Sequence, residues 1–152
     1  YEIIEWNEDN FDIGQNRYAR EAYESKKYAF VSDYARLKIL YEYGGIYMDT
    51  DVETIKSLDA FLNEPAFAGL ESETKISTGT IGAQKGNPWI GYLLSYYDSA
   101  SFIKENGEMN LTTNVVTISK LTKEKYNISL NNIDIKIDGE ISVYPKDVAY
   151  SS

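Results

Sequence analysis

The sequence predicts an α/β fold with a mixed sheet, on three observations. Helical and strand patterns alternate along the chain, one helix is apolar on almost every side, and two short strand patterns near the end flank an Asp-Gly turn signal. At 152 residues with 43% hydrophobic residues, the chain forms one domain with a real core.

Residues 2–6 alternate as a short strand, and Asn7-Glu8-Asp9-Asn10 reads as a polar turn. A helix is expected from Asn16 to Lys27, capped by Asn16, with Tyr18, Ala22 and Tyr23 as its apolar stripe. The next helix starts at a Ser32 or Asp33 cap and stops at Gly44, before the apolar strand Ile46-Tyr47-Met48. Beyond it, Leu58 to Leu62 reads as a helical turn, and Ala66 to Leu70 and Ser77 to Ala83 read as strands. The turn Lys85-Gly86-Asn87-Pro88 leads into a helix from Trp89 to Ser99, and Thr112 to Leu121 forms another despite its β-branched residues. Ile133 to Ile137 and Ile141 to Tyr144 form a hairpin about Asp138-Gly139.

Composition then removes whole classes of chemistry. With no Cys, thiolate nucleophiles, disulfides and thiolate zinc sites are excluded; with no His, imidazole bases and His-ligated metals are excluded. Carboxylates, hydroxyls, Lys, Arg and a hard metal are what remain. The net charge of −9 and the lack of any basic cluster beyond Lys26-Lys27 argue against a nucleic-acid partner. No run approaches 18 apolar residues, so no transmembrane segment is expected.

Charge placement singles out the second helix. Lys38 and Glu42 share one strip, four residues apart, whereas at about 100° per residue Arg36 points roughly 200° away from Lys38. Asp33 lies beside Arg36. If Lys38 and Glu42 face solvent, Asp33 and Arg36 sit in the interior or in a cleft, as a buried ion pair or a binding site.

The strand after the twin glycines delivers Asp49-Thr50-Asp51 at its end, and period-two geometry puts both carboxylates on one side. Such a pair suits magnesium or manganese shared with a diphosphate. Ten Asp in 152 residues give roughly half an Asp-x-Asp by chance, so context must decide. An EF-hand loop is ruled out, because its sixth and twelfth positions would be Thr54 and Ala60. A haloacid-dehalogenase-like phosphotransferase, with Asp49 as nucleophile and Asp51 as acid/base, would lack the later paired acidic motif and has Glu53 where Thr or Val is usual.

The ordered set Ser32-Asp33-Tyr34-Ala35-Arg36, Tyr43-Gly44-Gly45-Ile46-Tyr47-Met48-Asp49-Thr50-Asp51 and Leu58-Asp59 resembles the glycosyltransferases with a DXD sugar-binding region. That group is glycosyltransferase family 32, with bacterial capsular-polysaccharide transferases and yeast mannosyltransferases, and is more distantly similar to the glucosylating domain of large clostridial toxins. The likeness continues through Ile76 to Ala83, Lys85-Gly86-Asn87-Pro88 and Leu111-Thr112-Thr113-Asn114.

The resemblance implies a GT-A-like, Rossmann-type mixed sheet flanked by helices, with residues 1–152 a partial catalytic core truncated at both ends. Family members usually open with a strand reading Ile-Pro-Lys-Ile-Ile-His and close with a His-containing segment near the metal; this chain has neither. It further implies metal-dependent transfer, with retention, from a nucleotide-diphosphate sugar to a glycan or polysaccharide acceptor. Asp51 would bind Mn2+ or Mg2+ directly, and Asp49 would contact the metal or the donor. Asp33 and Arg36 would hold the sugar hydroxyls and the phosphates, with Thr78, Gly79 and Asn114 as further substrate contacts. A cytoplasmic site, peripheral to the membrane, is the expected location. A noncatalytic glycan-binding module derived from such an enzyme is the alternative from another class.

Overall fold

The protein is described by a computed structural model covering residues 4–49 and 63–146. The readings that fall on Thr50, Asp51, Glu53, Thr54 and Leu58 to Leu62 lie outside these residues.

The chain runs from the polar turn at residues 8–10 through a short 3-10 turn, Ile13–Gln15, into helix α1, Arg17–Glu24. Asn16 starts α1 as expected, its side-chain oxygen accepting from the Ala19 N–H. The helix ends at Glu24 rather than Lys27, and of its anticipated stripe Tyr18 and Ala22 are buried while Tyr23 is exposed. Residues 4–6 form no strand, so within the described residues the alternation there does not become sheet.

Helix α2, Tyr28–Tyr43, begins a full turn before Ser32 and has no side-chain cap. Its early start has a packing reason: Val31 and Tyr34 are core residues, so burial holds the first turn helical without a capping oxygen. Asp33 is thereby left free for a different partner. Leu37 and Leu40 bury the rest of the core face, while Lys38 and Glu42 pair on the outer strip at 2.9 Å.

Gly44 and Gly45, at φ 70° and 113°, turn the chain from α2 into strand β1, Gly45–Met48. A Cβ on Gly44 would lie 2.8 Å from the Lys85 backbone nitrogen, so this close turn requires glycine on both conformational and steric grounds. The other strands are β2, Ala66–Leu70; β3, Ile76–Ala83; β4, Ile135–Ile137; and β5, Ile141–Tyr144. They form one mixed sheet in the order β1-β3-β2-β5-β4, with β2 and β5 parallel and every other pair antiparallel. The hairpin about Gly139 forms, with Ile137 opposite Ile141, although Ile133 lies outside it and is exposed.

Helix α3, Pro88–Ser99, is capped by Asn87, and α4, Asn114–Tyr126, completes the helical layer. Trp89 ties these two together by donating to the Thr122 hydroxyl at 2.9 Å in the core. Among the described residues no helix is long and apolar enough to cross a membrane.

Candidate functional site

Three elements meet at the charged end of the sheet: the first half of α2, the end of β1 against the start of β3, and the first residue of α4. Arg36 is at their centre. Its Nη1 donates to the Thr78 carbonyl on β3 at 2.6 Å, Nε to the Ser32 carbonyl at 3.2 Å, and Nη2 to the Ser32 hydroxyl at 3.0 Å. Nη2 also lies 3.6 Å from an oxygen of Asp33 and 3.6 Å from an oxygen of Asp49. Those two distances describe ion contacts rather than hydrogen bonds. The Arg36 side chain is only 7% exposed, so this cation depends on its neighbours instead of water.

Asp49 follows β1 and extends its ladder, its N–H donating to the Gly79 carbonyl at 2.8 Å. Its carboxylate accepts from the Tyr47 hydroxyl at 2.8 Å and is 35% exposed. Tyr47 also lies under the guanidinium, with Arg36 Cζ 4.7 Å from the ring centre. One tyrosine therefore touches both the cation and the carboxylate.

Asp33 is buried and accepts from the backbone N–H of Asn114 at the start of α4, a favourable place for an anion. Burial nevertheless outweighs Arg36 and this hydrogen bond, and with Asp49 nearby it pushes the Asp33 pKa up to about 6. Burial also raises the Tyr47 hydroxyl, an effect that Arg36 only partly offsets.

Of the residues singled out in the sequence, Asp33, Arg36, Asp49, Thr78, Gly79 and Asn114 are joined by these contacts. Thr78 and Gly79 take part through backbone carbonyls, and Asn114 through its N–H. Asp51 lies outside the described residues. Among the described residues no three carboxylates converge as a metal cage. The donor chemistry at Asp49 is still that of a hard-cation ligand, a partly exposed carboxylate with no imidazole or thiolate beside it. Sequence reasoning quoted Ser32 and Tyr47 within the resembling segments but gave neither a role at the site, reading Ser32 as a candidate helix cap. Tyr47 carried a signal, since two residues before Asp49 on a strand is the same face.

A cavity of about 410 Å³ opens beside this cluster, walled by Trp6, Phe11, Tyr23 and Tyr28 and reaching Ser32 and Ala35. Ser32 is thus shared between an aromatic pocket and the Arg36 guanidinium.

Residues 1–68 match the family described as "Glycosyltransferase sugar-binding region containing DXD motif". Over 94 residues, 59% of the chain, the sequence is 34% identical to inositol phosphoceramide mannosyltransferase 3 of Schizosaccharomyces pombe, 26% of which is covered. Over 127 residues, 76% of the chain, it is 30% identical to an uncharacterized glycosyltransferase of Acanthamoeba polyphaga mimivirus, 49% of which is covered. The chain thus spans between a quarter and a half of the length of these relatives. Its fold is similar to that of PaToxG Glycosyltransferase, with a TM-score of 0.55 and 23% identity over 71% of this chain and 39% of that one.

Proposed function

We propose, from the likeness of the chain to glycosyltransferases that carry a DXD sugar-binding region, that it transfers a sugar from a nucleotide-diphosphate sugar to a glycan acceptor. The carrying observation is Arg36, buried and 3.6 Å from both Asp33 and Asp49 at the end of β1. A fixed guanidinium suits a diphosphate, whose negative charge grows as the sugar leaves. The aromatic cavity sharing Ser32 would take the nucleoside, which puts the diphosphate at Arg36 and the sugar towards Asp33 and the start of α4.

In this reading residues 1–152 belong to a single catalytic domain of which they are a part, and its setting is cytoplasmic at the membrane periphery. The bond between the anomeric carbon and the diphosphate breaks, and an acceptor hydroxyl forms the new bond on the same face. Its proton passes to the departing phosphate, so no imidazole base is required. Asp49 and Asp51 are the residues that would hold Mn2+ or Mg2+. When bound, that ion would supply charge stabilisation to the leaving group. Arg36 orients the phosphates, Tyr47 holds Asp49 and Arg36 in register, and Asp33 accepts from sugar hydroxyls.

Because one relative is named a mannosyltransferase, a mannose donor is the first to try. Titration of sugar nucleotides with manganese tests the proposal. Tight, metal-dependent binding and loss of transfer in Asp51→Ala are expected; no binding, or transfer intact in Asp51→Ala, would overturn it. Glycan binding indifferent to metal and nucleotide would favour the noncatalytic module, and an aspartyl-phosphate trapped by beryllium fluoride the phosphotransferase.

A further inference from the structure

Asn114 does more at the start of α4 than present its N–H to Asp33. Its residue is 2% exposed, and its side-chain nitrogen is buried with no hydrogen-bond partner among the described residues, while its side-chain oxygen accepts from the Tyr97 hydroxyl at 3.0 Å. Buried amide donors are ordinarily paired, because leaving one dry and unpaired is costly. The amide nitrogen therefore has spare capacity.

We propose that Tyr97 is a positioning residue for the donor sugar: it holds the Asn114 carboxamide by its oxygen, so that the amide NH2 is kept for a sugar hydroxyl. The assignment rests on the proposed transfer reaction and deepens it.

Tyr97 is built for a fixed role. It is 1% exposed on α3, lies edge-on to Tyr18 at 4.9 Å and to Tyr96 at 5.1 Å, and its carbonyl is held by the Asn16 side chain at 2.9 Å. The Thr117 side chain, one turn along α4 from Asn114, lies near this hydroxyl and partly offsets the rise that burial gives its pKa. The phenol gives its proton to the Asn114 side-chain oxygen, and this polarity sets the amide oxygen towards Tyr97 and leaves the NH2 as the amide's other branch. Reversing the amide would put its NH2 against the phenol and leave an acceptor, of no use to a hydroxyl already donating elsewhere.

The sugar is the part of the donor that would reach this group. Ser32 adjoins the aromatic cavity, whereas Asp33, about 100° further round α2, meets Asn114. A donor with its nucleoside in the cavity and its diphosphate at Arg36 has its sugar at the Asp33 and Asn114 end.

Calorimetric titration of the full chain in excess manganese tests this, with UDP-glucose and GDP-mannose each compared with UDP or GDP alone. Tyr97→Phe keeps the ring packing and removes only the hydroxyl. It is expected to weaken sugar-nucleotide binding about 5- to 30-fold while nucleoside diphosphate binding stays within about twofold. Asn114→Ala should give the same selective loss, and the double variant should be no worse than Asn114→Ala, since both act through one contact. A Tyr97→Phe protein that binds as wild type, weakens both ligand classes equally, or multiplies the Asn114→Ala effect would overturn the assignment. If Tyr97→Phe fails to fold, Asn114→Ala alone decides, by whether its loss is confined to the sugar nucleotide. Wild type that binds a nucleoside diphosphate but no sugar nucleotide more tightly overturns the Tyr97 role alone. Wild type that binds neither overturns the transfer reading as well.

Discussion

Two charged clusters in this protein, one half-buried and one buried, are handled in opposite ways. The Glu21 carboxylate, on α1, accepts from the backbone N–H groups of Phe102 and Ile103 at 3.0 and 3.1 Å and from Arg17 at 3.2 Å. Burial alone would raise its pKa, yet these hydrogen bonds, led by Ile103, bring it below the usual carboxylate value. Arg36 and Asp33, on α2, face each other at 3.6 Å, and burial prevails over attraction at Asp33. Glu21 is a saturated acceptor that fastens the loop after α3 to α1. The Arg36 cluster keeps ion contacts too long for hydrogen bonds and, among the described residues, an unpaired Asn114 donor.

The largest test of that contrast is Arg36→Ala. Removing the cation leaves Asp33 and Asp49 facing each other, so stability should fall by about 3–5 kcal/mol in urea denaturation and transfer should vanish. Arg36→Lys, which keeps the charge without the planar fork, should fold and lose about 100-fold in transfer rate. Transfer unchanged in Arg36→Lys would remove the functional half of the comparison.

Glu21→Ala should cost about 1–2 kcal/mol of stability, because the Phe102 and Ile103 N–H groups lose their half-buried acceptor, and should leave the transfer rate per folded molecule unchanged. A fall in that rate would show that α1 is coupled to the site.

Acidity separates the two regions by sign. The raised pKa of Asp33 means that the metal-free folded protein holds this proton more tightly than the unfolded chain, so its cost is absent below the ordinary aspartate range and grows as pH rises towards about 6. Glu21, with a lowered pKa, stabilises above the ordinary glutamate range, and that contribution is lost as pH falls through its folded value. Asp33→Asn should therefore raise the thermal midpoint at pH 8, flatten its decline between about pH 4 and 6, and weaken donor binding. A lower midpoint at pH 8 would mean that the carboxylate charge stabilises the fold.

The smallest expected effect belongs to Tyr47→Phe, which keeps the ring under Arg36 and loses the hydrogen bond to Asp49. Stability should change by less than about 1 kcal/mol, with transfer reduced about fivefold. An effect as large as that of Arg36→Lys would make the hydroxyl a direct ligand contact.

Much of this contrast was legible in the chain. The wheel over α2 separated Arg36 from Lys38 and Glu42, and the structure buries the first while pairing the other two outside. Strands Ala66–Leu70 and Ile76–Ala83 and the helix after Asn87 follow their local patterns, because apolar periodicity and a capping side chain act within a few residues. The start of α2 was misread at Ser32 and Asp33 because cap residues signal a helix start only when their side chains are free to cap. Here Ser32 serves Arg36, and Asp33 accepts from Asn114 of a distant helix. Glu21 had no signal at all, since its two N–H partners lie 81 and 82 residues away.

By itself the sequence determined the alternation of helices and strands, the face of α2 that carries charge inward, and the twin-glycine turn that brings Asp49 to a strand end. All of these follow from backbone sterics and periodicity over short distances. Only the tertiary structure decided that Thr78, Gly79 and Asn114 enter the cluster through main-chain groups, that Tyr47 bridges Arg36 and Asp49, and that Tyr97 turns the Asn114 amide. Hydrogen bonds and burial between remote segments depend on where the packed elements come to rest, and no local pattern encodes that position.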